Sequence, residues 1–267
     1  MVKAIVAGAS GRMGKSIIRM ISATDGIELS GAFERSDHAD IGKDAGIVAG
    51  IGEIGIKIMP SVDDVIDKGD VLIDFTVPEA TYQNLKKVAE KGLSMVIGTT
   101  GFSDEMLSKI REIASNIRCV MAPNMSIGVN VVFKIVEQLS KMLGQEYDIE
   151  IVEAHHHFKK DAPSGTAIRI AQIISKALGI RLEDKAIYGR KGITGERGKG
   201  EIGIHAIRAG DITGEHTVIF AGIGERIELI HRAHSRDNFA KGAVRAAMWI
   251  VNQAPGLYDM QDVLGLK

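Results

Sequence analysis

One cysteine, Cys119, is all the chain contains, which excludes an internal disulfide and a cysteine-rich metal site. It falls in the apolar run 117–121, where a strand would bury it as an ordinary core residue. Excess charge is missing too: 33 basic side chains oppose 34 acidic ones, for a formal charge of −1. Without a global field, neither nucleic acid nor an anionic membrane is an expected partner, and any basic site has to be local. No uninterrupted apolar run reaches the roughly 18–20 residues of a membrane span. Met1-Val2-Lys3-Ala4-Ile5-Val6 also lacks the layout of a secretory signal, so a cytoplasmic location is expected. At 267 residues the chain has room for two domains, because single cores stop growing at about 250–300 residues.

What is present begins with a short apolar run over 2–7, followed by Gly8-Ala9-Ser10-Gly11-Arg12-Met13-Gly14 and a helical pattern through Ile17, Ile18 and Ile21. Strand, glycine turn and helix in that order let the backbone approach a pyrophosphate, which rests on the N–H groups at the helix start. The spacing is G-x-x-G-x-x-G, which is weak alone. Context adds to it: a second strand over 27–33 ends in Glu34, twenty residues past Gly14, where a carboxylate accepts from the adenosine ribose. Arg35 follows, and a guanidinium there can hold a 2′-phosphate. The alternation continues with a helix over 62–67, a strand over 71–75, a helix over 78–91 and a strand over 94–97. A helix over 103–114 and a strand over 117–121 complete it. Gly98-Thr99-Thr100-Gly101 and Ala122-Pro123-Asn124-Met125-Ser126 stand at the C-terminal ends of two strands, where open parallel sheets bind ligands, and both should face the nicotinamide half of a dinucleotide. Strands alternating with helices predict an α/β, Rossmann-type, doubly wound parallel sheet domain over 1–126 and 236–267.

The pattern changes after Ser126. A long helix over 127–143 leads to an alternating strand over 147–154 and then to Glu153-Ala154-His155-His156-His157-Phe158-Lys159-Lys160-Asp161-Ala162-Pro163-Ser164-Gly165-Thr166. The next helix runs over 167–178, with Pro163 placed in its first turn and the N–H groups of Ser164, Gly165 and Thr166 free to meet an anion. Three imidazoles and two ammonium groups beside an anion cradle suit acid–base work on a negatively charged substrate, with His155, His156 and Lys159 as candidates by type. If the strand persists, His155 and His157 share one face and His156 the other. A zinc site would need two further ligands that neither Cys119 nor an HExxH pattern supplies, so no metal is expected. Pro163-Ser164-Gly165 is not a G-x-S-x-G elbow, so serine chemistry is not expected either. The glycine- and charge-rich segment 190–200 reads as a mobile loop, either solvated or a cationic lid. Strands over 201–208, 215–221 and 226–234 follow without crossover helices, predicting a smaller α+β domain over 127–235 with a mixed, mainly antiparallel sheet for substrate binding and oligomerisation. Both faces of 201–221 are partly apolar, with few helices left to cover them. A terminal helix over 236–252 should return to the first domain.

Together Gly8-Ala9-Ser10-Gly11-Arg12-Met13-Gly14, Gly98-Thr99-Thr100-Gly101-Phe102, Glu153-Ala154-His155-His156, Lys159 and Asp161-Ala162-Pro163-Ser164-Gly165-Thr166 resemble the dihydrodipicolinate reductase family. Thr194-Gly195-Glu196-Arg197, Arg208-Ala209-Gly210-Asp211 and Gly224-Glu225-Arg226 extend the resemblance along nearly the whole chain. The resemblance implies an NADH- or NADPH-dependent oxidoreductase of lysine and diaminopimelate biosynthesis, without a metal, acting as a homotetramer on a small cyclic dicarboxylate. It implies that Gly8, Ala9, Ser10, Gly11, Arg12, Met13, Glu34, Arg35, Gly98, Thr99, Thr100, Ala122, Pro123, Asn124 and Met125 hold the dinucleotide. It further implies His155 and Lys159 as the proton-transferring pair and His156, Gly165 and Thr166 as substrate-binding. Other members often carry additional basic residues where this chain has His157 and Phe158. Two different readings compete: another dehydrogenase, such as a semialdehyde dehydrogenase acting through an exposed Cys119, and a dinucleotide sensor without catalysis, which has no need of His155 with Lys159.

Overall fold

The computed structural model describes every residue, Met1–Lys267, and the chain divides into two compact units, Met1–Ile127 with Arg236–Lys267, and Gly128–Ser235. In the first unit β1 (Val2–Ala7), α1 (Arg12–Ser22), β2 (Ile27–Phe33), α2 (Ala45–Ala49), β3 (Ile58–Met59), β4 (Val71–Asp74) and α3 (Pro78–Lys91) come first. β5 (Ser94–Ile97), α4 (Asp104–Ala114) and β6 (Arg118–Met121) follow. Their strands join one seven-stranded sheet in which all pairings are parallel, ordered β12-β6-β5-β4-β1-β2-β3, where β12 is Gly256–Tyr258 from the C-terminal segment. β4 and β5 are buried at every position, as expected of strands covered on both faces. Ile17, Ile18 and Ile21 of α1 pack with Ala243, Val244 and Ala247 on one side, while Leu85 and Val88 of α3 and Ile110 and Ala114 of α4 fill the other. This is the doubly wound arrangement.

Two local readings change. Residues 62–67 form two short 3₁₀ turns, Val62–Asp64 and Ile66–Lys68, separated at Val65, whose φ of −129° is not helical. So few residues cannot sustain a helix whose nucleation is costly. The terminal helix, α8 (Asp237–Ile250), lies against α1, with Ser16 Oγ donating to Asp237 Oδ1 at 2.5 Å. It also approaches the turn after β6 so closely that a Cβ on Gly242 would stand 1.7 Å from the Met125 carbonyl oxygen.

The second unit contains α5 (Ile127–Leu143), which starts at the boundary, then β7 (Asp148–His155), α6 (Gly165–Leu178), α7 (Leu182–Lys185), β8 (Ala186–Tyr188), β9 (Ile202–Arg208), β10 (Gly214–Gly222) and β11 (Glu225–Ala233). A short helix, α9 (Met260–Val263), closes the C-terminal segment of the first unit. The sheet order is β11-β10-β7-β9-β8. It is mixed: β10 runs antiparallel to both β7 and β11 along the longer ladders, while β7 with β9 and β8 with β9 are parallel. The successive strands β9 and β10 are not neighbours: α6 carries the chain across to β8 and β9 on one side of β7, and β10 returns on the other. Val132, Val136, Ile170 and Ile174 cover Ile149, Ile151, Ile204, Val218 and Phe220. The opposite face, with Val152, Thr217, Ile219, Ile207 and Ile230, has no covering helix, and Ile207 and Ile230 are 47% and 43% exposed.

Candidate active site

β1 ends in a turn where Gly8 takes φ +63°. A Cβ on Gly14 would lie 2.1 Å from the Gly8 carbonyl oxygen, so only glycine lets α1 begin this close to the strand. Gly11 precedes α1 without a side-chain cap, which leaves the first N–H groups of the helix for an anion. A cavity of 1020 Å³ extends from here to Glu34 and Arg35 on one side and Gly98, Pro123, Asn124 and Met125 on the other. Gly8, Ser10, Gly11, Arg12 and Met13 also line it. Glu34 is fixed by the N–H groups of Ser10 (3.2 Å) and Arg35 (3.0 Å), and Arg35 reaches Asp37 (3.2 Å). Ala9 and Ala122 are instead buried in the core, the first because it turns inward below the glycine turn. Thr99 and Thr100 face a separate cavity of 460 Å³. Thr99 is drawn inward by Thr81 (2.7 Å), which belongs to the hydroxyl and amide group around the buried Asp74 carboxylate: Thr76, Thr81 and Asn84 all donate to it.

Arg236 and Phe239, at the start of α8, also line the larger cavity, and sequence reasoning did not select them. The Arg236 carbonyl accepts from Phe239 N–H, but the guanidinium groups of Arg12 and Arg236 make no ion pair with a carboxylate. Burial, and then the nearby Arg12 guanidinium, hold Arg236 below its ordinary value. Two unneutralised guanidinium groups at a helix start make a strongly anion-seeking site. The glycine turn, the Glu34 carboxylate at the end of β2 and this cationic corner fit a nicotinamide dinucleotide.

In the second unit β7 ends at His155, so strand alternation does not continue through His156 and His157. Glu153 is fully buried and accepts from Arg208 (2.7 and 2.9 Å), Ser164 N–H (3.0 Å) and His155 Nδ1 (2.5 Å). Burial opposes its ionisation, but these donors, Arg208 foremost, keep its carboxyl below the ordinary range. Burial also lowers His155, with Glu153 acting against that. His156 has a buried Nδ1 without a partner. His157 bonds the Gly210 carbonyl (3.0 Å) and rests on Phe158, which is exposed. Lys159 pairs with Asp161 (2.9 Å). Pro163, which follows a cis Ala162–Pro163 peptide, lies outside the next helix, not in its first turn, because Ser164 is the N-cap, taking the Ala167 N–H. Gly165 and Thr166 are therefore the first two helical residues, with open space around the Gly165 Cα.

Behind this group His155, His216 and His231 run across β7, β10 and β11, with neighbouring rings 5.4 and 6.4 Å apart. No three His, Cys, Asp or Glu side chains are arranged to share a metal ion. The segment 190–200 is not a free cationic lid. Arg190 binds Glu150 and Glu201, and Arg197 binds Asp148, Glu150 and two carbonyls. Despite burial, Arg190, His205 and Arg197 pull the Glu150 carboxyl down to about 2. Cys119 is wholly buried, and burial pushes its thiol up to about 12, so it is no nucleophile.

A cavity of this kind in a doubly wound sheet, joined in one chain to a unit carrying clustered imidazole and ammonium groups, defines a dinucleotide-dependent oxidoreductase. Comparison with other proteins identifies which. Residues 2–125 match the family described as dihydrodipicolinate reductase, N-terminus, and residues 128–264 match dihydrodipicolinate reductase, C-terminus. The chain is 55% identical to the 4-hydroxy-tetrahydrodipicolinate reductases of Syntrophus aciditrophicus and Geotalea daltonii, each over 100% of both chains. A solved structure of dihydrodipicolinate reductase from Paenisporosarcina sp. TG-14, with dipicolinate bound, is 25% identical, covers 98% of each chain and gives a TM-score of 0.78. The chain belongs to the dihydrodipicolinate reductase family.

Proposed function

We propose that this protein reduces 4-hydroxy-tetrahydrodipicolinate to tetrahydrodipicolinate with NADH or NADPH, in the diaminopimelate and lysine pathway, as a cytoplasmic homotetramer. In this reading the first unit binds the dinucleotide and the second binds substrate and assembles the oligomer. The observation that carries it is the arrangement in the second unit of His155 and Lys159 with the start of α6. Relatives named for this reaction, and one solved with the planar dicarboxylate dipicolinate, support it.

A reduced nicotinamide, when bound, supplies the hydride. The protein's task is to hold the reactants and manage protons. Glu34 accepts from the ribose, Arg35 meets a 2′-phosphate if one is present, and Arg12, Arg236 and the first N–H groups of α1 take the pyrophosphate. Asp74, through Thr76, Asn84 and Thr81, stiffens the strand ends below. In the second unit the N–H groups of Gly165 and Thr166 with His156 hold one substrate carboxylate, while Lys159 exchanges Asp161 for the substrate. His155 and Lys159 deliver the proton that neutralises the charge left by hydride addition, and the 4-hydroxyl leaves with a neighbouring ring hydrogen as water, so that hydride, proton and lost water account for the product.

The semialdehyde dehydrogenase reading loses its nucleophile with the burial of Cys119. The uncovered face of the second sheet, with Ile207 and Ile230, supports assembly with further copies. The direct test mixes the protein, NADH and the unstable substrate generated in place and follows nicotinamide absorbance. A substrate-dependent fall is expected, and its absence with both coenzymes would remove the reading.

A further inference from the structure

We infer that Glu153, gripped by Arg208, commits Nδ1 of His155 to a fixed hydrogen bond, and that Gly214 keeps the space at Nε2 open, so that Nε2 is the atom through which the proton passes. The inference rests on the reading of His155 as a proton-transferring residue.

The carboxylate of Glu153 offers about four lone-pair directions, and four donors occupy them. Oε1 takes Arg208 Nη2 (2.7 Å) and Ser164 N–H (3.0 Å), while Oε2 takes Arg208 Nη1 (2.9 Å) and His155 Nδ1 (2.5 Å). An ionised carboxylate only accepts, so the proton of that last bond is on Nδ1. Neutral His155 is therefore the Nδ1–H tautomer, with a bare lone pair on Nε2. Arg208 is anchored in turn. Nη2 donates to the Asp161 carbonyl and Nη1 to the Ile207 carbonyl, both at 2.7 Å, so the planar fork holds the carboxylate in one orientation. This Arg208–Glu153 pair reaches His155 across the parallel β7–β9 ladder, where His155 and Arg208 are register partners.

Nε2 looks toward the start of β10. A Cβ added to Gly214 would stand 3.1 Å from Nε2 and 3.4 Å from Cδ2, so a methyl group there would occupy the approach to the nitrogen. The remaining neighbour is His216, whose ring meets His155 edge-on at 5.4 Å. Ser164 Oγ accepts from Ala167 N–H and lies within hydrogen-bond reach of His216 Nε2, at 3.1 Å, and burial of the His216 ring favours its neutral form. The charged or titratable groups around His155 are thus Glu153 on its own strand, Lys159 beyond it, Arg208 on β9 and His216 on β10, and Glu153 alone favours the imidazolium form.

Glu153→Gln is the discriminating substitution. Arg208 Nη2 and Ser164 N–H together hold the amide oxygen in the place of Oε1, so the amide nitrogen takes the place of Oε2, gives up the bond from Arg208 Nη1, donates to Nδ1 and moves the ring proton to Nε2. Glu153 and Arg208 are positioning residues, so the readouts are turnover, pH profile and tautomer. Turnover should fall on the order of 10²–10⁴-fold with NADH binding retained, and the limb of the pH profile that depends on His155 should move to lower pH. Gly214→Ala should lower turnover with coenzyme affinity unchanged, and Arg208→Lys should keep part of the activity that Arg208→Ala loses. The unmodified protein supplies the decisive measurement: nitrogen NMR of histidine-labelled protein at neutral pH, with His155 assigned by His155→Gln. A proton on Nδ1 is expected. A proton on Nε2 would overturn the inference even if the Glu153 variant does not fold. Normal turnover in His155→Gln would remove the underlying reading. Loss of turnover there, with Glu153→Gln keeping the wild-type rate and pH profile, would remove this inference alone.

Discussion

Lys159 and Asp161 form an ion pair, with Nζ 2.9 Å from Oδ1, so the ammonium assigned to the substrate already has a carboxylate partner two positions along the chain. A substrate carboxylate can replace Asp161 at modest cost, because the Asp161 side chain is 63% exposed and such pairs contribute about 0–1 kcal/mol. Lys159→Ala should lower turnover on the order of 10²–10⁴-fold and also raise KM, whereas His155→Gln should act mainly on kcat. Thr166→Val should raise KM with a smaller effect on turnover. Steady-state kinetics, with NADH binding followed separately by fluorescence, separates the three; near-normal kcat in the first two variants would end the proton-delivery reading.

Coenzyme choice is expected to turn on Arg35. Its guanidinium leans on the exposed Asp37 and is available to a 2′-phosphate, while Glu34, fixed by Ser10 N–H, favours free ribose hydroxyls. The protein is expected to use both coenzymes. Arg35→Ala should weaken NADPH binding more than NADH binding, and equal losses in the two Kd values would exclude that role.

Arg236 should behave differently. A charge-assisted hydrogen bond to the pyrophosphate, which both coenzymes share, contributes about 1.5–3 kcal/mol, so Arg236→Ala should weaken both by roughly 10–100-fold. Isothermal titration with each coenzyme would show this, and an effect confined to NADPH would place Arg236 at the wrong end of the cavity.

His216 links stability to pH. Burial, with His155 and His231 close by, pushes it from its ordinary value down to about 3. The unfolded chain therefore binds a proton at higher pH than the folded one does. Stability is complete above about pH 6.5 and is lost as pH falls toward 3, with a slope of up to about 1.4 kcal/mol per pH unit from this one group. Thermal unfolding from pH 7 to 5 should show a falling Tm, less steeply for His216→Gln, and parallel curves would contradict the assignment.

The uncovered face of the second sheet predicts the oligomer. Ile230→Glu, which places a charge beside Thr217 on the face that also carries Val152 and Ile207, should shift a sedimenting tetramer to smaller species. A wild-type monomer at micromolar concentration would refute the assembly.

Much of this was legible in local signals. Gly8 to Gly14 and Glu34 declare themselves by turn chemistry and spacing within one strand, helix and strand, and His155 with Lys159 by clustering. Arg236 gives no such signal. It reaches the cavity because α8 docks on α1, through a bond between Ser16 and Asp237 that are 221 positions apart. Glu153 was visible only as a carboxylate two positions before the histidines, since its burial depends on Arg208, 55 positions later. The strand pairing that joins them is parallel, which apolar alternation along β9 cannot distinguish from antiparallel. The same limit explains β12, a three-residue edge strand too short to carry a period.

Cys119, sealed in β6, has a use at the bench. Maleimide dyes have no native sulfur to attack in the folded protein, so a cysteine placed at the fully exposed Ile193 would be the sole labelling position. A fluorophore or spin label could be attached there without first removing a natural residue, and the segment tethered by Arg190 and Arg197 could be followed in an otherwise unaltered chain.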